Sequence, residues 1–243
     1  MFFLLPTTFS IYVLIYVLAA IIPAIFLMIQ ISKADKMEKE PTPLLLSLVL
    51  QGVFAALAAI VLEYIGEALL SFSSLSPDSP IYSIVTAFLI VAVAEEGCKF
   101  FFLYRRTWKD PNFNYRFDGV VYAVFVSLGF AAFENIKYVF SYGLSVAFMR
   151  AFLAVPGHMG FAVFMGIFYG RAKIAESNGN KTMKIVNMIL AYLSAVCLHG
   201  FYDATAMVQT PLSSLLYIGF VVIMYIVVFT LIKRESKTDR PIY

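Results

Sequence analysis

Two glutamates and a lysine, Glu95, Glu96 and Lys99, lie within the otherwise apolar run of residues 91–103. A charged side chain at the centre of a bilayer costs about 2.5–3.5 kcal/mol on insertion scales, so three of them close together indicate a function. Residues three and four apart share one face of a helix, so Lys99 can pair with one of the two carboxylates. The other glutamate could then act as a general base. A purely structural ion pair between helices is the alternative interpretation.

Further polar residues occur in later apolar runs. Glu134 and Tyr138 are four residues apart, so the tyrosine could donate a hydrogen bond to the glutamate. His199 and Asp203 have the same spacing, and a carboxylate beside an imidazole is the arrangement that commonly orients a metal-binding histidine. His158 is the other of the two histidines in the chain. Packed core histidines and a glutamate at the headgroups are the simpler alternatives.

The composition predicts the elements that position these residues. The chain has 243 residues, of which 61% are hydrophobic and 14% charged, and its mean hydropathy is +0.85. Soluble domains average about 45–50% apolar and about 25% charged residues, so we predict an all-α, polytopic membrane helical bundle. We expect no nucleic-acid partner. The two cysteines, Cys98 and Cys197, lie in apolar runs and predict no disulfide framework.

Seven stretches reach the roughly 20 apolar residues that a membrane helix needs. They are approximately residues 9–31, 44–70, 81–104, 118–141, 145–170, 183–207 and 212–232. The first lacks a basic start and exceeds the ~7–15 residues of a signal core, so we expect it to be retained. No soluble domain fits between the spans, and residues 1–243 are predicted to form a single integral membrane domain.

The basic residues predict the orientation. Every lysine and arginine except Lys99, Lys137 and Arg150 follows the first, third, fifth or seventh span. Basic loops face the cytoplasm, so the N-terminus is predicted outside and the C-terminus in the cytoplasm. Arg150 lies near the outer end of the fifth span and could extend to the headgroups.

Glycines within the spans predict where helices approach closely. They are Gly129, Gly157, Gly160, Gly166 and Gly170. Their positions around the polar residues favour a water-filled cavity that opens toward the outer half of the membrane. Glu63 and Glu67, near the outer end of the second span, are interpreted as interfacial, with a role in substrate entry as the alternative.

Three motifs follow one another along the chain: Glu95-Glu96-x-x-Lys99, Phe133-Glu134-x-x-x-Tyr138 and His199-x-x-x-Asp203. Together they resemble the PrsW family of intramembrane proteases. The resemblance covers roughly residues 90–205, within a predicted core of about 81–207. His158 looks like the additional histidine of that family. The related CAAX protease and bacteriocin-processing group shows a similar pattern, but Lys99 stands where the PrsW motif has its lysine and no arginine follows in the CAAX-type spacing.

The resemblance implies proteolysis of a membrane-anchored protein by a multi-pass protein of the bacterial cytoplasmic membrane. In the best-known bacterial members the substrate is an anti-sigma factor, cut in its extracytoplasmic part. The expected partners are therefore a single-span membrane protein, such as an anti-sigma factor, and the lipid bilayer.

With this resemblance, Glu95 or Glu96 is expected to activate the attacking water. His158 and His199 either bind a divalent metal such as zinc or hydrogen-bond the water and the oxyanion without a metal. Glu134 would complete the ligand set or position water. Asp203 would orient His199, and Lys99 would tune the glutamate pair. The supporting residues of the predicted site are Lys99, Glu134, Tyr138 and Asp203.

Two other classes of protein remain as alternatives. Embedded glutamate, histidine and aspartate also form proton relays, so a proton- or cation-coupled transporter is possible in principle. Such proteins usually have broken helices and internal repeats, which the sequence does not show. A retinal protein needs a lysine in its last span, and residues 212–232 contain none, whereas a ligand receptor remains open.

Overall fold

The computed structural model describes residues 4–243, with side chains from Ser10 onward. Seven stretches of this described part are long and apolar enough to cross a membrane, which confirms the predicted polytopic helical bundle. The helices are α1 (Leu4–Ala34), α2 (Thr42–Leu70), α3 (Pro80–Val85), α4 (Val93–Thr107), α5 (Asp118–Tyr142), α6 (Leu144–Phe152), α7 (Ala154–Ser177), α8 (Lys181–Met207) and α9 (Pro211–Lys237).

Helix α5 forms the centre of the bundle. Every residue from Asp118 to Ala131 is buried, and α1, α2, α4 and α7 pack around it. The exposed large apolar residues lie mainly on α1, α2 and α9, as expected for surfaces that contact lipid. Helix α8 packs on α7 and on the third span. The polar groups of the inner helices are thereby screened from lipid.

The sequence predicts one continuous helix for the third span, residues 81–104. In the structure this span is interrupted. A π-helical segment, Thr86–Ala92, separates α3 from α4 just before the glutamate pair. A π turn takes an extra residue and changes the direction of the side chains that follow. It also brings Phe88 so close to Gly200 that a methyl group on that glycine would lie 2.4 Å from the ring.

The fifth span, Leu144–Ser177, is also divided, at Leu153 between α6 and α7. Pro156 explains this break, because proline has no N–H to donate to the carbonyl four residues earlier and its ring crowds that carbonyl. The carbonyl belongs to Phe152, and it accepts a hydrogen bond from the hydroxyl of Tyr225 on α9. The break places Arg150 and His158 on separate helices that can be oriented independently.

Two seams of glycine bring backbones together beside α5. A methyl group on Gly52 would lie 2.1 Å from the Val126 carbonyl, and one on Gly129 2.3 Å from the Val49 carbonyl, so α2 and α5 touch here. Gly166 and Gly170 make equally close contacts with the start of α5. The predicted close approaches at Gly129, Gly166 and Gly170 are confirmed.

The glycines beside His158 behave differently. A methyl group on Gly157 would meet only side chains at ordinary contact distance, and one on Gly160 would meet the Met224 sulfur at 3.1 Å. Helix α9 therefore approaches closely at Gly160, as predicted, but through side chains, whereas no tight contact lies at Gly157. Side chains fill the space instead of backbone: Phe161 of α7 itself and Tyr202 of α8 at Gly157, and Met224 and Val228 of α9 at Gly160.

Candidate functional site

The glutamate pair and Lys99 form the centre of the site. Lys99 Nζ donates to Glu95 Oε2 at 3.0 Å and to Glu96 Oε1 at 2.7 Å. All three side chains are buried, and Glu96 and Lys99 almost completely. The sequence-based expectation that the lysine pairs with only one carboxylate is wrong, because the side chain reaches both the i−3 and the i−4 neighbour on one helical face.

His158 completes the environment of the lysine. Lys99 Nζ lies 3.0 Å from His158 Nδ1, and His158 Nε2 lies 3.0 Å from Glu134 Oε2. An ammonium group can only donate, so Nδ1 accepts its hydrogen and Nε2–H donates to Glu134. All three hydrogens of the ammonium group are therefore engaged. Its other side faces the ring of Phe130, with 4.0 Å between Nζ and the ring centroid.

His199 lies between two carboxylates. Its Nδ1 is 2.9 Å from Glu96 Oε1, and its Nε2 is 3.2 Å from Asp203 Oδ2. The predicted pairing of His199 with Asp203 is therefore confirmed. Phe161 stacks on the imidazole with ring centroids 4.9 Å apart, which fixes the plane of the ring. The centroids of the two imidazole rings are 5.3 Å apart.

Glu134 has different partners from those that the sequence predicts. Its Oε2 accepts a hydrogen bond from Arg150 Nη2 at 2.7 Å as well as from His158. Tyr138 makes no such bond; its ring lies beneath the Arg150 guanidinium at 4.0 Å. Arg150 also donates to Asn135 Oδ1 at 2.8 Å, so the expected extension of Arg150 to the headgroups is wrong. The sequence did contain one indication that Arg150 binds a buried carboxylate, namely that an arginine lies within an apolar span.

These groups line a cavity of about 530 Å³. Its walls come from the C-terminal halves of α2, α5 and α8 and from the N-terminal parts of the third, fifth and seventh spans. All of these ends lie on the side of the bundle that is opposite to the basic loops. Glu95 lines the cavity, whereas Glu96 lies behind it, and Glu63 and Glu67 contribute to the wall.

Glu95, Glu96, His158 and His199 could together hold a metal ion. Each offers one ligand atom, and these four atoms all lie within 4.8 Å of one another. Glu96 Oε2 is buried and has no hydrogen-bond partner in the described part of the chain. Carboxylate and imidazole ligands suit zinc, so the residues fit such an ion in chemical type. Glu134, proposed from the sequence as a ligand, is not part of this group; its Oε2 instead accepts hydrogen bonds from His158 and Arg150.

Comparison with known proteins connects this geometry to a family. Residues 40–232 match the sequence model of the group described as "PrsW family intramembrane metalloprotease". The protease PrsW of Clostridioides difficile is 32% identical over 212 residues, which are 86% of this chain and 86% of that protein.

Two further relatives extend the match over most of both chains. The protease PrsW of Oceanobacillus iheyensis is 30% identical over 90% of this chain and 95% of its own length. That of Bacillus subtilis is 29% identical over 92% of this chain and 95% of its own length. No solved structure matches the chain.

Proposed function

This chain belongs to the PrsW family of intramembrane metalloproteases and is a multi-pass membrane peptidase; we propose that it cleaves a single-span membrane protein, such as an anti-sigma factor, with water activated by Glu95. The observation that carries this proposal is the convergence of Glu95, Glu96 and His158 on the Lys99 ammonium at the wall of one cavity. Membership of a protease family argues against the transporter and receptor alternatives.

The two glutamates have different roles in this proposal. Glu95 lines the cavity, so it is the carboxylate that can reach a water molecule and remove its proton as the oxygen attacks the scissile carbonyl carbon. Glu96 is fully buried and accepts hydrogen bonds from both Lys99 and His199. It therefore positions these two residues. Lys99 in turn holds the Glu95 carboxylate in one orientation.

The histidines act on the other side of the substrate carbonyl. His199 lines the cavity, and its Nδ1–H is held by Glu96, so its Nε2–H would have to turn from Asp203 Oδ2 to donate a hydrogen bond to the oxygen that becomes negative in the tetrahedral intermediate. The leaving amine takes a proton as the C–N bond breaks, and the protonated Glu95 carboxyl group can supply it. His158, bound by Lys99 and Glu134, borders the same space.

A divalent ion such as zinc would be held by Glu95, Glu96, His158 and His199. When bound, zinc lowers the pKa of a coordinated water and polarises a carbonyl group. Lys99 Nζ contacts three of these four side chains, so its ammonium group would have to move away from them.

The test is cleavage of tagged single-span membrane proteins, anti-sigma factors among them, co-expressed with this chain and its variants. We expect Glu95→Gln and His199→Ala to lower the cleavage rate by about 100-fold or more, as loss of a general base or an oxyanion donor does. Asp78→Asn removes an exposed carboxylate in the loop after α2 and should leave the rate unchanged.

The metal content of the same purified proteins is measured by elemental analysis. Stoichiometric zinc in the wild type that is lost in His158→Ala and His199→Ala would support the four-residue ligand set, and its absence would leave a reaction driven by glutamate and histidine alone. Cleavage at the wild-type rate by both Glu95→Gln and His199→Ala would overturn the assignment of these residues.

A further inference from the structure

A second group of carboxylates lies at the opposite end of the bundle, beside the basic loops. Asp35 follows α1, Glu40 precedes α2, and Asp118 is the first residue of α5. One oxygen atom from each lies within 4.8 Å of the others. In the sequence these residues stand in polar connections or at a helix end, where a carboxylate is usually solvated. The fold instead brings them together in one corner.

The three carboxylates of this corner form no ion pair within the described residues. Asp35 is 2% exposed, and its Oδ1 is buried without a hydrogen-bond partner in the described part of the chain. Glu40 Oε2 is also buried and unpartnered. A buried charge that lacks a partner is costly. The structure therefore leaves two buried carboxylate oxygens of this corner without a hydrogen-bond donor in the described part of the chain.

The nearby Lys39 does not bond directly to any of the three carboxylates. Lys39 Nζ donates to the main-chain carbonyls of Ser32 and Asp35, with 2.6 Å to that of Ser32, and forms no ion pair with the carboxylates. Burial raises the pKa of Asp35 to about 6 and that of Glu40 to about 7. Both rises reflect the free energy of placing several carboxylates together in a poorly solvated corner.

Asp118 is fixed in position for a further ligand. Its Oδ2 accepts hydrogen bonds from the main-chain N–H groups of Asn114 at 3.0 Å and Tyr115 at 2.7 Å. The chain after α9 reaches the same corner, since Asp239 Oδ1 accepts from the N–H of Phe117 at 2.9 Å. Together with Asp239, the carboxylates of this corner come from three segments that are far apart in sequence: the α1–α2 connection, the start of α5 and the chain after α9.

We propose that Asp35, Glu40 and Asp118 bind one hard divalent cation, Mg²⁺ or Ca²⁺, at this end of the bundle. Both ions prefer carboxylate oxygens, and Ca²⁺ binds them at about 2.3–2.6 Å, so two ligand atoms of one ion lie up to about 5 Å apart. The separations in this group, all within 4.8 Å, meet that limit for Ca²⁺, whereas the bonds of ~2.0–2.1 Å that Mg²⁺ makes would need the oxygen atoms to move closer together. The ion joins the α1–α2 connection to the start of α5, and water completes its coordination. This site is separate from the one that contains the histidines.

The test is isothermal titration calorimetry of purified, EDTA-treated protein in detergent with MgCl₂ and with CaCl₂. We expect saturable uptake of one ion by the wild type, and affinity weaker by on the order of tenfold or more for Asp35→Asn and Glu40→Gln. Glu38→Gln is the matched control, because Glu38 is an exposed carboxylate of the same loop that bonds to Asn114. Glu96→Gln should retain the uptake, which separates this site from the cavity.

Thermal unfolding checks that the variants fold. Asp35→Asn removes a buried charge, so without added cation it should unfold at the wild-type temperature or above, and it should lack the rise that the cation gives the wild type. The proposal is overturned if the wild type takes up neither ion saturably. It is equally overturned if Asp35→Asn binds as tightly as the wild type, or if Glu38→Gln loses as much affinity as Asp35→Asn.

Discussion

At the scale of single residues, the site matches each buried charge with a partner. Glu95 and Glu96 share the Lys99 ammonium, and Glu134 has Arg150 and His158. Removing one member of a buried ion pair is far more destabilising than replacing both, because the remaining charge stays in a poorly solvated place. The pair of Glu134 and Arg150 offers a direct test of this arrangement.

We expect Arg150→Met to lower the free energy of unfolding by about 3 kcal/mol, because it leaves the Glu134 carboxylate without its cation. The double variant Arg150→Met, Glu134→Gln should recover part of that loss, which thermal unfolding in detergent measures as a double-mutant cycle. Lys137→Met is the control, since Lys137 also lines the cavity and forms no salt bridge within the described residues. A double variant no more stable than Arg150→Met alone would contradict the pairing.

At the scale of helices, packing against α5 determines where the glutamates and histidines lie. The seam between α2 and α5 depends on glycine at both partners, because a side chain would enter backbone of the other helix. Membrane helices associate mainly through such close packing, as lipid offers little hydrophobic drive between them. The position of Glu63 on the cavity wall depends on the same seam.

Gly129→Ala should therefore destabilise the protein by about 1–3 kcal/mol, since its methyl group would lie 2.3 Å from the Val49 carbonyl. Gly219→Ala is the control on α9, where nothing lies within 4 Å of the added methyl group. That substitution should be neutral or stabilising by up to about 1 kcal/mol, because alanine favours helix. Equal unfolding temperatures for the two variants in detergent would show that the α2–α5 seam tolerates a side chain.

At the scale of the whole molecule, the polar sites lie at opposite ends of the bundle. The cavity lies at the end where the connecting loops have no lysine or arginine, and the three carboxylates lie at the basic end. We expect the cavity to face the outside of the cell. We also expect residues 1–243 to act as one membrane domain with its catalytic core at about 81–207, since the other long helices pack either on α5 or, as α8 and α9 do, on α7.

Fusions to reporter enzymes check this orientation. Alkaline phosphatase inserted after Ser74 should be active, because that loop is predicted outside, and it should be inactive after Asp110. A fluorescent protein joined after Tyr243 should fluoresce, as it does only in the cytoplasm. The opposite pattern at these three positions would reverse the predicted topology and place the cavity toward the cytoplasm.

The number of spans and the pairings within the motifs Glu95-Glu96-x-x-Lys99 and His199-x-x-x-Asp203 could be predicted from the sequence, because both depend on local spacing. The sequence could not predict the π-helical segment or the partners of Arg150, because helices that are apolar on every face give no sign of how they rotate against each other. Tyr138 was assigned to Glu134 by the same four-residue spacing that correctly paired His199 with Asp203. In the structure Arg150, from another helix, bonds to Glu134 instead. The carboxylates at the basic end were missed because their proximity arises only from the fold.

Lys99 already uses each of its three hydrogens. Whatever enters the cavity as a new acceptor gains nothing from this lysine unless a glutamate or His158 is released first. Loading of a divalent ion would then replace the singly charged ammonium group with a doubly charged ion beside the same two glutamates and His158, and a longer or shorter cationic side chain at position 99 would alter its rate as well as its extent.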